Sequence, residues 1–128
     1  MKIKSPQTLV QDALNQVKTI SASEALELSK KNECNLIDIR DATELQNLGR
    51  IENSFHISRG LLEFSIHPES AYVQNNNIDL NKETVLFCAA GGRSALAAKT
   101  LKEMGFDNVS HVEGGFGNMS HSGFKVIK

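Results

Sequence analysis

The chain predicts an α/β domain with a mainly parallel sheet and helices on both faces. Three observations predict it: short runs of apolar and β-branched residues, helical apolar periodicity between those runs, and capping residues or glycines at the joins. At 128 residues the chain is the size of one domain, enough to bury roughly two-thirds of its unfolded surface.

Ser5-Pro6 supplies an N-cap and a proline at the first helical position, and Val10, Ala13, Leu14 and Val17 then recur at i, i+3, i+4 and i+7. That spacing predicts a first amphipathic helix from Pro6 to Val17, in an N-terminal extension covering 1–19. Ser21-Ala22-Ser23-Glu24 has the spacing of a capping box, and Ala22, Ala25 and Leu26 share one face of a second helix ending near Asn32. Asn35-Leu36-Ile37-Asp38-Ile39-Arg40 reads as a buried strand with its charges toward its exit. Asp41 and Glu44 cap a short helix through Leu48, with Gly49 just past its end. Ser54 to Ile57 is a short strand, and Arg59-Gly60-Leu61-Leu62-Glu63-Phe64 begins another short helix whose Leu61, Leu62 and Phe64 read as core. From His67 to Lys82 the chain is polar and asparagine-rich, predicting a surface loop near the site. Thr84 to Cys88 is a strand, and Ala97, Leu101 and Met104 mark the helix that follows, with Gly105 as its stop. Val109 to Val112 is the last strand.

Fourteen basic against 15 acidic residues leave no electrostatic footprint for nucleic acid or anionic lipid. The first residues carry charge but no apolar segment of a signal peptide, and no run approaches the ~20 apolar residues of a membrane span. A cytoplasmic protein is expected, with neither nucleic-acid nor membrane partners. Two cysteines, Cys34 and Cys88, cannot build a disulfide framework or a thiolate zinc site. No spacing of His, Cys or carboxylates suggests a metal.

Chemistry concentrates at Cys88. An apolar strand ends there, passes through Ala89, Ala90, Gly91 and Gly92, and restarts as a helix beyond Arg93. Backbone N–H groups of such a turn, and the positive end of the helix, favour the thiolate, which is the nucleophile. Arg93 is a cation at a helix start, unfavourable unless an anion compensates it. Cys34 precedes a strand and has no comparable turn; a structural role is expected. Asp38, near a strand end, is expected to fix the adjacent loop by accepting backbone or arginine hydrogen bonds, and Arg40 with Glu44 to form an ion pair bracing the turn. None of His56, His67, His111 and His121 is assigned to catalysis.

Several of these segments, in this order, resemble the rhodanese-like family of sulfurtransferase domains. They are Leu36-Ile37-Asp38-Ile39-Arg40 with Glu44, Gly49 with Ile51, Arg59-Gly60-Leu61-Leu62-Glu63-Phe64, Cys88 to Ser94, and Val112-Glu113-Gly114-Gly115-Phe116 with Gly123. The resemblance places a rhodanese-like domain at 20–128. It implies a three-layer α/β fold with a central five-stranded parallel sheet and Cys88 at its carboxyl edge. It further implies that Cys88 accepts a sulfane sulfur as a persulfide and passes it on, with no cofactor. Ala89, Ala90, Gly91, Gly92 and Arg93 would cradle that sulfur, with Arg59 a second candidate for recruiting the donor and Asp38 for support. Implied partners are a small sulfur donor and a thiol or cyanide-like acceptor, with a protein donor or acceptor as a further option. The sequence departs from the family at Gly49-Arg50-Ile51-Glu52-Asn53-Ser54, where Gly-His-Ile-Pro-Gly-Ala is usual, and at Met119, where tryptophan is common.

Two other functions stay open at this level. One is a binding module that relays sulfur only from a docked protein. The other is cysteine phosphatase or arsenate-reductase chemistry, which the loop length disfavours: a phosphate-sized bowl takes one residue more between cysteine and arginine.

Overall fold

The computed structural model describes residues 1–128. Its elements are α1 (Pro6–Leu14), β1 (Lys18–Ile20), α2 (Ala22–Lys30), β2 (Cys34–Asp38), α3 (Ala42–Leu48), β3 (Arg50–Ile51) and β4 (Phe55–His56). After a 3-10 turn, Arg59–Leu61, come α4 (Leu62–Ser65), α5 (Ala71–Asn75), β5 (Glu83–Phe87), α6 (Gly92–Met104), β6 (Val109–Val112), α7 (Gly115–Met119) and β7 (Val126–Ile127). Five strands form one parallel sheet in the order β1-β6-β5-β2-β4, while β3 and β7 make a separate antiparallel pair. No helix is long and apolar enough to cross a membrane.

Alternation along the strands sorts the core into two layers. Leu36, Val85, Phe87 and Val112 pack with Ala22, Ala25 and Met119 under α2 and α7. Ile37, Ile39, Leu86, Cys88 and Val109 point the other way, against Leu62 of α4, Ile66 just past its end, and Ala97, Ala98 and Leu101 of α6. Helix α1 packs along α6. Met119, fully buried, fills core space in the first layer.

Several sequence expectations are corrected. The first helix stops at Leu14, so Val17 lies beyond it and packs against the second layer. The residues that follow form β1, an edge strand that sequence missed because only Ile20 of its three residues is buried. Of the expected core trio only Leu62 is buried; Leu61 and Phe64 are 59% and 80% exposed. The expected loop from His67 contains α5, capped by Ser70 Oγ accepting from the Val73 N–H, and buries Val73 and Ile78. Part of that segment reaches the carboxyl edge of the sheet, where the Tyr72 hydroxyl donates to the His56 carbonyl at 2.9 Å. The segment's end leads into the amino end of β5, where Leu80 and Asn81 face Phe106 and Asn108 across an open cleft of about 620 Å³, at the opposite edge of the sheet from Cys88.

Candidate active site

The carboxyl ends of β2, β4 and β5 share one edge, the place where open parallel sheets bind ligands. Cys88 is the first residue past β5 and is 1% exposed. Its Sγ accepts the Gly91 N–H at 3.1 Å and the Ser94 N–H at 3.4 Å, and lies 3.6 Å from Ser94 Oγ. Gly91 reaches this position with φ of 110°, in the left-handed region that disfavours a side chain. The N–H groups of Ala89, Ala90, Gly92 and Arg93 have no acceptor within the protein. Buried or half-buried amides normally find partners, so this turn, at the start of a 13-residue helix, presents donors toward a ligand position. Ala90 is exposed at its mouth.

The turn between β6 and α7 holds the loop from behind. Phe116 N–H donates to the Cys88 carbonyl at 2.8 Å and Gly117 N–H to the Ala89 carbonyl at 3.2 Å. A Cβ on Gly115 would sit 2.3 Å from the Cys88 carbonyl oxygen, so only glycine permits the approach. Helix α7 leaves no helical signal in the sequence, because two glycines in five residues carry little helical propensity.

The expected Arg40–Glu44 ion pair does not form. Arg40 instead pairs with Asp38, both fully buried: Asp38 accepts the Arg40 backbone N–H and Nε at 3.0 Å and Nη2 at 2.8 Å. Nη2 also donates to the Gly49 carbonyl, and the guanidinium stacks 3.9 Å from the Phe116 ring centroid. Asp38 thus accepts both a backbone and a guanidinium hydrogen bond at the end of β2. Glu44 binds Arg93 bidentately at 2.8 and 2.9 Å, supplying the anion that a cation at the start of α6 needs. It also accepts the Asp41 N–H, closing the capping box of α3. Arg59 follows β4 at the same edge, its N–H bonded to the Ile39 carbonyl and its guanidinium without an acidic partner. Arg50, in the segment departing from the family, donates to the Ser54 carbonyl.

The Arg93 hydrogen bonds hold the Glu44 carboxyl down to about 2 from an ordinary 4.5. The unfolded chain therefore binds a proton there before the native state does, so the pair's stabilisation is present above pH 4.5 and lost as pH falls to about 2. Thermal melts of wild type and Glu44→Gln should differ most above pH 4.5 and converge near pH 2. A gap independent of pH would contradict this assignment.

Cys34 begins β2 opposite Glu83, while Cys88 lies five residues further along the parallel neighbour. At about 3.3 Å per residue the two are ~16 Å apart along the strands, well beyond the ~7 Å Cα limit for a disulfide. Burial and the Glu83 charge push the Cys34 thiol up to about 11. It is a core thiol.

Comparison with known proteins identifies the fold. A model of the rhodanese-like domain matches residues 21–121, most of the chain. This chain belongs to the rhodanese-like domain family. Among curated relatives, the rhodanese-like domain is similar to the thiosulfate sulfurtransferase GlpE of Pseudomonas putida, 32% identical over 103 residues, covering 80% of this chain and 84% of the relative. GlpE of Shewanella oneidensis is 27% identical over 103 residues, covering 80% and 92%. Among solved structures, a Rhodopseudomonas palustris protein of unknown function, described as a possible tyrosine phosphatase, superposes with TM-score 0.86 at 36% identity and covers 99% of this chain and 97% of its own. The polysulfide-sulfur transferase homodimer of Wolinella succinogenes gives 0.74 at 32% identity, covering 94% and 85%.

Two residues at this rhodanese-like site went unassigned from sequence. Ser94 touches the cysteine sulfur, and His111, from β6, lies 2.9 Å from Ser94 Oγ. The available signal was a histidine inside a strand whose four residues are all buried, since a buried polar group requires a partner.

Proposed function

We propose that the protein transfers a sulfane sulfur from thiosulfate or a persulfide to a thiophilic acceptor through a persulfide on Cys88. The observation that carries this reading is the sulfur itself, met by two backbone N–H groups at the end of β5 and faced by a turn with further N–H groups unpaired. In the first step the Cys88 thiolate attacks the outer sulfur of the donor. The donor's S–S bond breaks, and sulfite, or the donor thiolate, leaves with the electron pair. Cys88 then carries a persulfide whose terminal sulfur is anionic, and the free N–H groups of Ala89, Ala90, Gly92 and Arg93 stabilise that charge as an oxyanion hole would. In the second step cyanide or a thiolate attacks the terminal sulfur, the persulfide bond breaks, and the Cys88 thiolate returns, giving ping-pong kinetics.

Two arginines divide the recruitment of anionic donors. Arg93, tied to Glu44, holds the rim in place with much of its charge compensated. Arg59 has no acid beside it and supplies the uncompensated positive charge at this edge. Asp38 supports the edge through Arg40. No resident cofactor enters either step.

A phosphatase reading draws on the description of the Rhodopseudomonas structure. Only Ala89, Ala90, Gly91 and Gly92 separate Cys88 from Arg93, a ring closed around one sulfur atom rather than a tetrahedral phosphoryl group.

The test is incubation of the reduced protein with thiosulfate, polysulfide and glutathione persulfide in turn, followed by intact-mass and peptide analysis. One added sulfur on Cys88, released as thiocyanate by cyanide, is expected. No adduct with any of these donors would overturn an autonomous transferase, and an adduct appearing only with a protein donor would favour the relay module. Hydrolysis of an aryl phosphate would favour the phosphatase.

A further inference from the structure

Beneath the cysteine loop runs a chain of hydrogen bonds joining three elements. Thr19 Oγ1 of β1 lies 2.9 Å from His111 Nε2, His111 Nδ1 lies 2.9 Å from Ser94 Oγ, and Ser94 Oγ lies 3.2 Å from the Gly91 carbonyl and 3.6 Å from Cys88 Sγ. His111 is 1% exposed and Ser94 fully buried.

A neutral ring can complete this chain in either of two tautomers, which differ in whether Ser94 donates to Nδ1 or accepts from it. Ser94 has one hydroxyl proton and two lone pairs. Were that proton given to Nδ1, the Gly91 carbonyl would keep only the Ala95 N–H and the sulfur only its two backbone donors. Thr19 makes no other side-chain hydrogen bond, and when it donates to Nε2 the imidazole proton sits on Nδ1. Nδ1–H then donates to Ser94 Oγ, and the serine keeps its own proton to place. With a thiol at Cys88, S–H donates to Ser94 Oγ and the serine proton goes to the Gly91 carbonyl. With a thiolate, the serine proton turns to the sulfur as a third donor beside the Gly91 and Ser94 N–H groups.

We propose that His111 is a positioning residue for Cys88: held in one tautomer by Thr19, it occupies a Ser94 lone pair and so commits the Ser94 hydroxyl as a donor to the anionic sulfur. The imidazole takes no proton from the thiol, because Nδ1 is already protonated and the Nε2 lone pair is occupied by Thr19. The charged group facing His111 is the carboxylate of Glu113 in the following turn; β1 presents Thr19, α6 presents Ser94, and α1 presents Val10 and Leu14 across a cleft of about 470 Å³. Burial lowers the His111 pKa against the pull of Glu113, keeping the ring neutral as this wiring requires. The charged group facing Cys88 is Arg93, paired with Glu44.

This role deepens the proposed transfer and rests on Cys88 being its reacting group, yet its test uses no sulfur donor. The rate of iodoacetamide alkylation at the Cys88 peptide is followed against pH in the full chain. Ser94→Ala and His111→Leu should each raise the midpoint by about one unit, a roughly tenfold loss of thiolate below it. The Ser94→Ala/His111→Leu double variant should go no further than Ser94→Ala. His111→Asn, whose amide N–H replaces Nδ1–H, should stay near wild type. Thr19→Val, on the edge strand, should raise the midpoint by a smaller amount and serves as the test should His111→Leu fail to fold by circular dichroism. A wild-type midpoint in His111→Leu or Thr19→Val, additivity with Ser94→Ala, or His111→Asn matching His111→Leu would each overturn the proposal. Failure of persulfide formation alongside the expected midpoints would overturn the transferase and leave this wiring standing.

Discussion

Replacing Cys88 by serine should remove sulfur transfer altogether while leaving the protein folded. The side chain is 1% exposed and nearly isosteric with serine, and the Gly91 and Ser94 N–H groups that meet Sγ find an oxygen acceptor in its place. Stability should therefore change little, within about 1 kcal/mol. Activity has no such substitute. A serine hydroxyl is scarcely ionised at neutral pH and cannot form the persulfide that links the two half-reactions, and Cys34 lies too far along the sheet to take over. Transfer from thiosulfate to cyanide, read as thiocyanate, should drop to the uncatalysed background, a loss on the order of 1,000-fold or more. Residual transfer within tenfold of wild type, in a variant that melts normally, would move the nucleophile elsewhere.

Asp38→Ala should cause a large loss of stability. Asp38 and Arg40 are both fully buried, and the carboxylate accepts from the Arg40 backbone N–H, Nε and Nη2. Removing it strands a guanidinium that cannot lose its charge, with the Gly49 carbonyl and the Phe116 ring as its remaining partners. Breaking a buried pair from one side costs about 3–5 kcal/mol, which for a domain of this size lowers the melting temperature by on the order of 10 °C or more. Removing both charges, as Asp38→Ala with Arg40→Met, should recover most of that loss, because the penalty lies in the unpaired ion. Denaturant melts of both singles and the double form the required cycle. An Asp38→Ala variant as stable as wild type would show that Arg40 finds compensation elsewhere.

What sequence revealed, and what it concealed, follows from where each signal resides. Strands β2 and β5 were legible because nearly all their residues are buried, which favours runs such as Leu36-Ile37 and Val85-Leu86-Phe87, and β6 from Val109 and Val112 at its ends. Helix α6 was legible from its period and its terminal Gly105. Strand β1 is polar at the sheet edge, and the β3–β7 pair has two residues in each strand, so pairing partners rather than side-chain pattern define them. Helix α7 is held by its hydrogen bonds to the Cys88 and Ala89 carbonyls, a tertiary cause with no local trace. At the site, Cys88 and its loop could be found because strand, small residues and helix start are contiguous. The charge pairing could not: Arg40 and Glu44 sit at an attractive helical spacing, yet a fully buried strand-end carboxylate claims Arg40, and Glu44 meets Arg93 from 49 residues away. His111 escaped for the same reason, its partners lying on β1 and α6.

The two bonds from α7 to the back of the cysteine loop also determine what its front can do. In a planar trans peptide the carbonyl of one residue and the N–H of the next point in opposite directions. Fixing the Cys88 carbonyl rearward on Phe116 therefore aims the Ala89 N–H forward, and fixing the Ala89 carbonyl on Gly117 does the same for Ala90. These dipoles are set before any charge arrives, so the loop reorganises little when an anion forms on sulfur. A segment on the far side of the loop thus sets the polarity of the face that carries the free N–H groups.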